Sequence, residues 1–354
     1  MDDEEPQHDR LRQIKGCLLG GAVGDALGAP VEFMRWREIE SCYGQAGLTE
    51  YPGPKGYVTD DTQMMLFTAE GLLRAAVRYA AKGICHAPSV VHHALLRWLI
   101  TQGEMPKCEV GRDGWLIGKR RLFSRRAPGN TCLSALRAVE HFGQTASNNS
   151  KGCGAVMRSA PCAFFGSPFN LAVETAQLTH GHPAGYLSAG LFADILARLL
   201  PATMDLEAAT RLSLETHVDT QGIEAVTPAI ERVLDLHRHG VMPDPTGIAN
   251  LGGGWVGEEA LAIGLWCALA ARDFAHGVIM AVNHDGDSDS TGLIAGHLLG
   301  LIHGPKSIPA TWIKRLDLRD IVEQVATDLE RVPRLYDGED GPYDDEIWTR
   351  YPGW

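Results

Sequence analysis

The sequence predicts an all-α fold. Apolar residues recur at helical spacing almost without interruption from Leu11 onward. Alternating strand-like runs are nearly absent. With 45% hydrophobic and 21% charged residues, the chain can bury a core and general disorder is excluded. In chain order the periodicity places helices at Leu11–Leu27, Thr62–Ala81, Pro88–Thr101 and Thr131–Phe142. It continues with Asn170–Leu178, Pro183–Leu200, Leu206–Val218 and Glu224–His239. Gly257–Arg272, Phe274–Val282, Ser290–His303 and Thr311–Glu330 complete the series. No solenoid period and no long Pro/Gly/Ser linker divides the chain. The expected organisation is a flexible acidic arm at 1–10, one domain over 11–333 and an acidic, aromatic tail at 334–354.

Two of these helices carry an unusual pattern. Gly16, Gly20, Gly24 and Gly28 repeat every four residues on one face of the first. Gly292, Gly296 and Gly300 do the same in the Ser290–His303 helix. Each such glycine costs about 1 kcal/mol against alanine. Close approach of two backbones is the physical reason to retain them. The chain holds 40 glycines in 354 residues, with no three-residue period that would indicate collagen.

Composition narrows the function classes. A formal charge of -12 argues against nucleic acid or an anionic membrane as the main partner. The basic run Lys119–Arg126 is short and reads as a solvated face or a patch for an acidic partner. Eight cysteines are scattered without a CxxC pair, which suits free thiols in a reducing cytoplasm. The acidic start lacks the basic and apolar regions of a signal peptide. The longest apolar stretch, Ala260–Ala271, is too short to span a bilayer.

Two acidic clusters stand immediately before helices. Thr59-Asp60-Asp61-Thr62 precedes one, and Asp285-Gly286-Asp287-Ser288-Asp289-Ser290-Thr291 precedes the other. Each alone reads as N-capping, since Asp, Ser and Thr accept bonds from the first free N–H groups. Together they hold more carboxylates than capping needs. If the two helix starts met, like charges about 4 Å apart would repel by about 4 kcal/mol per pair at an effective dielectric of 20. Divalent cations would remove that cost. Carboxylate and hydroxyl ligands suit Mg²⁺, Mn²⁺ or Ca²⁺ and not zinc. An EF-hand starting at Asp285 is excluded, because Ser290 stands where glycine is required and Gly296 where glutamate is required.

Further candidates lie between these clusters. In Ser150-Lys151-Gly152-Cys153-Gly154 the glycines would let backbone N–H groups approach an anion, although the loop is neither a Walker nor a Rossmann motif. Thr179-His180-Gly181-His182-Pro183 bends before a helix, and His180 could bond a sugar hydroxyl. No HExxH supports zinc, and no GxSxG supports a serine hydrolase. Glu32 and Asp113 are candidate proton-transfer carboxylates.

Taken in order, GDALGAPVEF, TDDTQM, SKGCGAVMR, THGHP and DGDSDSTGLIAG resemble the ADP-ribosylglycohydrolase family over roughly residues 11 to 330. That family includes dinitrogenase-reductase-activating glycohydrolases and ADP-ribosylarginine hydrolases. The resemblance implies a compact all-α catalytic domain with two Mg²⁺ or Mn²⁺ ions in a central cleft. It implies Thr59, Asp60, Asp61, Asp287, Asp289 and Ser290 as metal ligands, with Asp285 outside the set. Ser150 to Gly154 would cradle the diphosphate, and His180 would lie near the distal ribose or adenosine. Relatives differ in the catalytic carboxylate, and the positions matched are Glu32 or Asp113. The implied activity is metal-dependent hydrolysis of the N-glycosidic bond between ADP-ribose and a protein side chain, arginine foremost. The partner would then be an ADP-ribosylated protein. The alternative is an antitoxin, or immunity protein, that binds and occludes an ADP-ribosyltransferase toxin.

Overall fold

The computed structural model describes residues 5–332 and 344–353. The chain winds through helices α1 (Glu5–Gly28), α2 (Trp36–Tyr43), α3 (Asp60–Lys82), α4 (Ala87–Thr101) and α5 (Asn130–Ala138). The middle of the chain forms α6 (Pro168–Ala176), α7 (Pro183–Leu199), α8 (Leu206–Thr216), α9 (Thr227–Arg238) and α10 (Pro245–Ala249). Last come α11 (Gly257–Leu269), α12 (Phe274–Val282), α13 (Ser288–His303), α14 (Ala310–Arg315), α15 (Arg319–Arg331) and α16 (Asp345–Arg350). Among the described residues no strand forms, and two isolated bridges, Gly56–Leu316 and Gly152–Val256, are the β-type pairings. The fold is all-α, as the periodicity requires.

The central contact joins α1 to α13. The two glycine ladders face each other in antiparallel register: Gly16 meets Gly300, Gly20 meets Gly296, Gly24 meets Gly292, and Gly28 meets Ser288. A Cβ at Gly292 would come 2.7 Å from the Gly24 carbonyl oxygen, too close for any side chain. One further glycine has a separate cause. Gly21 leaves room for the ring of His297, a fully buried residue of α13 whose Nδ1 bonds the Cys17 carbonyl at 2.9 Å. Around this pair α3, α11 and α12 complete a core rich in Leu, Ile, Val and Ala. All eight cysteines are free thiols. No described helix is long and apolar enough to cross a membrane.

Several expectations change at the boundaries. The first helix begins at Glu5, so residues 5–10, expected in a flexible arm, form its first turns. Residues 1–4 lie outside the described residues. The expected helix Thr311–Glu330 is two helices, because Leu318 is left-handed (φ 57°). Backbone pairing interrupts it: Gly56 donates to Arg315 O at 3.0 Å and Asp317 donates to Gly56 O at 2.8 Å. The sequence pattern misses α2 because only Ile39 of its residues is buried. In the tail, 333–343 lie outside the described residues, whereas 344–353 pack on the domain. There Ile347 and Tyr351 are buried, and Asp328 accepts from the Tyr351 hydroxyl at 2.7 Å and from Arg350 at 2.8 Å.

Because the α1–α13 contact admits no Cβ, Gly24→Ala overpacks the core at a cost of about 1–3 kcal/mol. Thermal unfolding followed by circular dichroism should show Tm lowered by roughly 1–4 °C. Gly118→Ala, where a Cβ meets open space, should shift it by less than about 1 °C. Equal effects at the two positions would contradict the close-packing account.

Candidate active site

The site starts with a buried aspartate of α1. Asp25 is fully buried beside Ala22, Val23, Ala26 and Leu27, all apolar and buried. It accepts the Thr59 backbone N–H at 3.0 Å, the Thr62 N–H at 3.1 Å and the Thr62 hydroxyl at 2.5 Å. It thereby ties the start of α3 to α1. Thr59 caps α3, its hydroxyl accepting from Asp61 N at 3.2 Å. The capping reading of the first cluster therefore holds, and it leaves Asp60 and Asp61 free to face a cleft.

The second cluster behaves alike. Asp287 caps α13 by accepting from Ser290 N at 3.3 Å. Ser290 Oγ donates to Asp61 Oδ2 at 2.8 Å, so residues far apart in sequence meet across the cleft. Thr59 also bonds Asp289. Asp285 points away and accepts the Trp36 N–H at the start of α2. This anchors the short loop between α1 and α2, which carries Glu32 to the cleft wall. The antiparallel glycine contact makes the meeting possible: Gly28 lies against Ser288, so the end of α1 and the start of α13 coincide.

The glycine-spaced loop forms the opposite wall. It is pinned to the segment before α11, with Cys153 N donating to Trp255 O at 3.1 Å and Gly257 N to Lys151 O at 2.8 Å. Ser150 shapes it from behind, bonding Thr131 Oγ1 at 2.9 Å and accepting from Gly152 N at 3.3 Å. Gly152, Cys153 and Gly154 line the cleft, and Cys153 Sγ donates to Asp287 Oδ2 at 2.8 Å. His180, fully buried, closes the end. The cleft holds a cavity of about 200 Å³.

Its electrostatics are one-sided. Glu32, Asp60, Asp61, Asp287 and Asp289 line it, and among the described residues no Lys or Arg does. Burial and then the Asp289 charge push Asp60, Asp61 and Asp287 well above the ordinary carboxylate range, and burial raises Asp289. Burial, with Asp289, Asp60 and Asp25 nearby, pushes Glu32 up to about 9. Burial and Asp289 push Asp25 up to about 7, against the hydrogen bonds from Thr62 and Thr59.

Comparison with known proteins assigns this arrangement. The sequence pattern described as ADP-ribosylglycohydrolase matches residues 6–340. The chain belongs to the ADP-ribosylglycohydrolase family. It is 29% identical over 334 residues to an ADP-ribosyl-[dinitrogen reductase] glycohydrolase of Rhodospirillum rubrum, covering 90% of this chain and 95% of that one. It is 25% identical to an ADP-ribosylarginine hydrolase of Serratia proteamaculans, over 92% of this chain and 80% of the relative. It is 22% identical to an ADP-ribosylhydrolase of Homo sapiens, over 91% and 94%. A solved structure called an ADP-ribosylglycohydrolase-related protein complex superposes with a TM-score of 0.66 at 27% identity, covering 92% of this chain and 99% of its own. The protein is thus an enzyme of the ADP-ribosyl hydrolase kind.

Within this ADP-ribosylglycohydrolase the expected site residues separate. Glu32, Asp60, Asp61, Gly152, Cys153, Gly154, His180, Asp287, Asp289 and Ser290 gather at the cleft. Thr59 and Ser150 stand behind its walls and hold them in place. Lys151 turns outward to Glu258 at 3.1 Å, and its side chain is 49% exposed. Asp113 is not brought to the cleft. It pairs with Arg74 at 2.8 Å on the rim of a network containing the fully buried Arg97–Glu70 pair. Burial alone would raise Asp113, but the Arg74 guanidinium bonded to it holds it below the ordinary range. Of the two proton-transfer candidates, the cleft therefore contains Glu32.

Three residues at the site escape the sequence reading. Asp25 has a usable signal, a lone acid within a buried apolar helix face. Phe33 and Trp255 have none. Their rings stack 5.8 Å apart and 20° from parallel beside Glu32, with Phe33 75% and Trp255 44% exposed.

The raised carboxylates give stability a definite pH dependence. Unfolded, these groups ionise near pH 4; folded, Asp25 and Glu32 hold their protons up to about 7 and about 9. Through these carboxylates the folded state binds more protons between those limits, so stability falls as pH rises. The histidines His92, His93, His180, His284 and His297, held low by burial, oppose the trend only below about pH 6.5. With divalent cations chelated, Tm should decrease from pH 7 to pH 9. A flat profile would contradict the crowding of carboxylates.

Proposed function

We propose that the enzyme hydrolyses the N-glycosidic bond between ADP-ribose and an arginine side chain of a modified protein, with two Mg²⁺ or Mn²⁺ ions as cofactors. One observation carries this reading: five carboxylates face a single cleft that, among the described residues, no cationic side chain lines. The donor set is all oxygen, which fits hard divalent cations. Among the described residues no three acidic, histidine or cysteine side chains already converge as a metal shell. Their oxygens are instead engaged with protein donors, Asp61 with Ser290 and Asp287 with Cys153. Thr59, Asp60, Asp61, Asp287, Asp289 and Ser290 are the residues that would hold the ions. The bound ions would supply neutralising charge and Lewis acidity at the ribose.

The chain's own groups account for the remaining steps. The bond breaks with positive charge developing at the ribose C1 and ring oxygen. Carboxylates fixed around that position stabilise the charge without reorganising. Without bound cations, burial and neighbouring acids raise Glu32 to about 9. At the cleft wall it is placed to pass a proton to the departing guanidine nitrogen and to take back the proton that water loses as its oxygen bonds to C1. The bare backbone at Gly152 and Gly154 leaves space for the diphosphate. The name of the Serratia relative favours arginine. So does the exposed Phe33–Trp255 pair, since aromatic faces attract a guanidinium by about 0.5–2 kcal/mol.

Glu32→Gln should lower kcat by about 10²- to 10⁴-fold, the range for removing a general acid. Asp289→Ala should abolish release of ADP-ribose and the stabilisation of the fold by added Mn²⁺. Asp113→Asn should leave kcat within about twofold, as befits a half-exposed residue outside the cleft. Arginine-linked and serine-linked ADP-ribosylated proteins should be offered in parallel. Cleavage of the serine linkage alone would refute the leaving group, and full activity of chelated Asp289→Ala enzyme would refute the metal.

A further inference from the structure

His180 carries an unusual feature. The side chain is fully buried, yet its Nε2 has no hydrogen-bond partner among the described residues and borders the cleft. The space in front of it is left open by glycine: a Cβ at Gly152 or Gly154 would come 3.5 Å from Nε2. A buried polar nitrogen without a partner is costly unless a ligand completes it. Whether it can serve as donor or acceptor depends on which ring nitrogen holds the proton.

The surroundings of Nδ1 decide that. Nδ1 lies 2.8 Å from Thr179 Oγ1. The same hydroxyl accepts from Arg158 Nη2 at 2.8 Å, and a guanidinium can only donate. Thr179 has one proton to place. Beside the Cys132 sulfur, a weak acceptor, the competing acceptor is Ala176 O, which is 3.4 Å away and already accepts the backbone N–H groups of Thr179 at 3.1 Å and His180 at 3.0 Å. Both its lone pairs are thus occupied. The hydroxyl proton goes to Nδ1, which leaves the ring proton on Nε2.

We propose that Thr179, oriented by Arg158, fixes His180 in the Nε2–H tautomer, so that this nitrogen donates to an oxygen of the ADP-ribose moiety. Thr179 and Arg158 are positioning residues, acting on substrate through His180. The donor half of the inference rests on the proposed function; the tautomer does not. Burial and the Arg158 charge push His180 down to about 3, so the ring is neutral and the tautomer persists across the working pH range. Arg158 is itself buried and anchored to Gly154 O and Thr175 O, so the relay joins the glycine loop to α6.

The test combines ¹⁵N-histidine NMR with calorimetric titration of free ADP-ribose into the whole protein. His180→Gln assigns the resonance by its loss. In the wild type, two-bond proton–nitrogen correlations should show Nε2 protonated and Nδ1 bare. Thr179→Val, nearly isosteric, should move the proton to Nδ1 and raise the Kd for ADP-ribose about five- to tenfold, the worth of one hydrogen bond. Thr179→Ser should restore both, which a merely structural role for the side chain would not predict. An Nδ1–H ring in the wild type overturns the proposal, as does Thr179→Val with unchanged tautomer and affinity. If Thr179→Val does not fold, the wild-type tautomer and the shift of the Nε2 proton on adding ADP-ribose decide. If ADP-ribose does not bind an Nε2–H wild type, the proposed function and the donor role fall while the tautomer assignment stands.

Discussion

The contact between α1 and α13 is the constraint on which the rest depends. Two helices from opposite ends of the chain meet backbone to backbone, because no Cβ stands between Gly16, Gly20, Gly24 and their partners Gly300, Gly296, Gly292. Each glycine weakens its own helix by about 1 kcal/mol. The close approach recovers dispersion contacts along the whole seam. It also sets the register. Gly28 falls opposite Ser288, so the loop bearing Glu32 and the helix start bearing Asp287 and Asp289 arrive at one place. Wider spacing or a slipped register would draw these carboxylates apart.

The same geometry creates an electrostatic problem and part of its answer. Burying several carboxylates together is unfavourable, and the described residues offer no cationic side chain in the cleft. It offers helix ends instead. Both α3 and α13 begin at the site, and each N-terminus carries roughly half a positive charge on unbonded N–H groups. Thr59, Asp25 and Asp287 occupy those donors, so capping and site assembly are one structure. The remaining repulsion keeps protons on the acids, and a divalent cation would displace them.

Much of this was legible before any coordinates. Helical periodicity placed the end of α1 and the whole of α3, α4, α7, α12 and α13 to within a few residues, because an amphipathic or buried helix repeats its pattern locally. The four-residue glycine spacing announced a close contact on each of two helices. The acidic clusters announced both caps and a negative pocket, since Asp, Ser and Thr before an apolar run have few other uses. Less legible were features set by a distant partner. Asp113 and Glu32 are each a lone acid in a turn. Only position separates them, one held by Arg74 at the surface and the other walled in with Asp60 and Asp289. Lys151 had the charge expected of a phosphate ligand and instead faces Glu258. The break between α14 and α15 comes from pairing with Gly56, which no local pattern reveals.

What the sequence by itself determined is the all-α class, the helices that frame the site and the chemical kinds of group available there. These follow from interactions within a few residues, such as apolar repeats, caps and glycine steps. The tertiary structure alone decided which groups meet. Asp25 reaches Thr62 across 37 residues, and Ser290 reaches Asp61 across 229. It also decided the direction of each pKa shift, the emptiness in front of His180 Nε2 and the stacking of Phe33 on Trp255. The physical reason is that burial and through-space charge depend on how whole helices pack. A local pattern encodes that a helix has a face to bury, but not which other face will cover it.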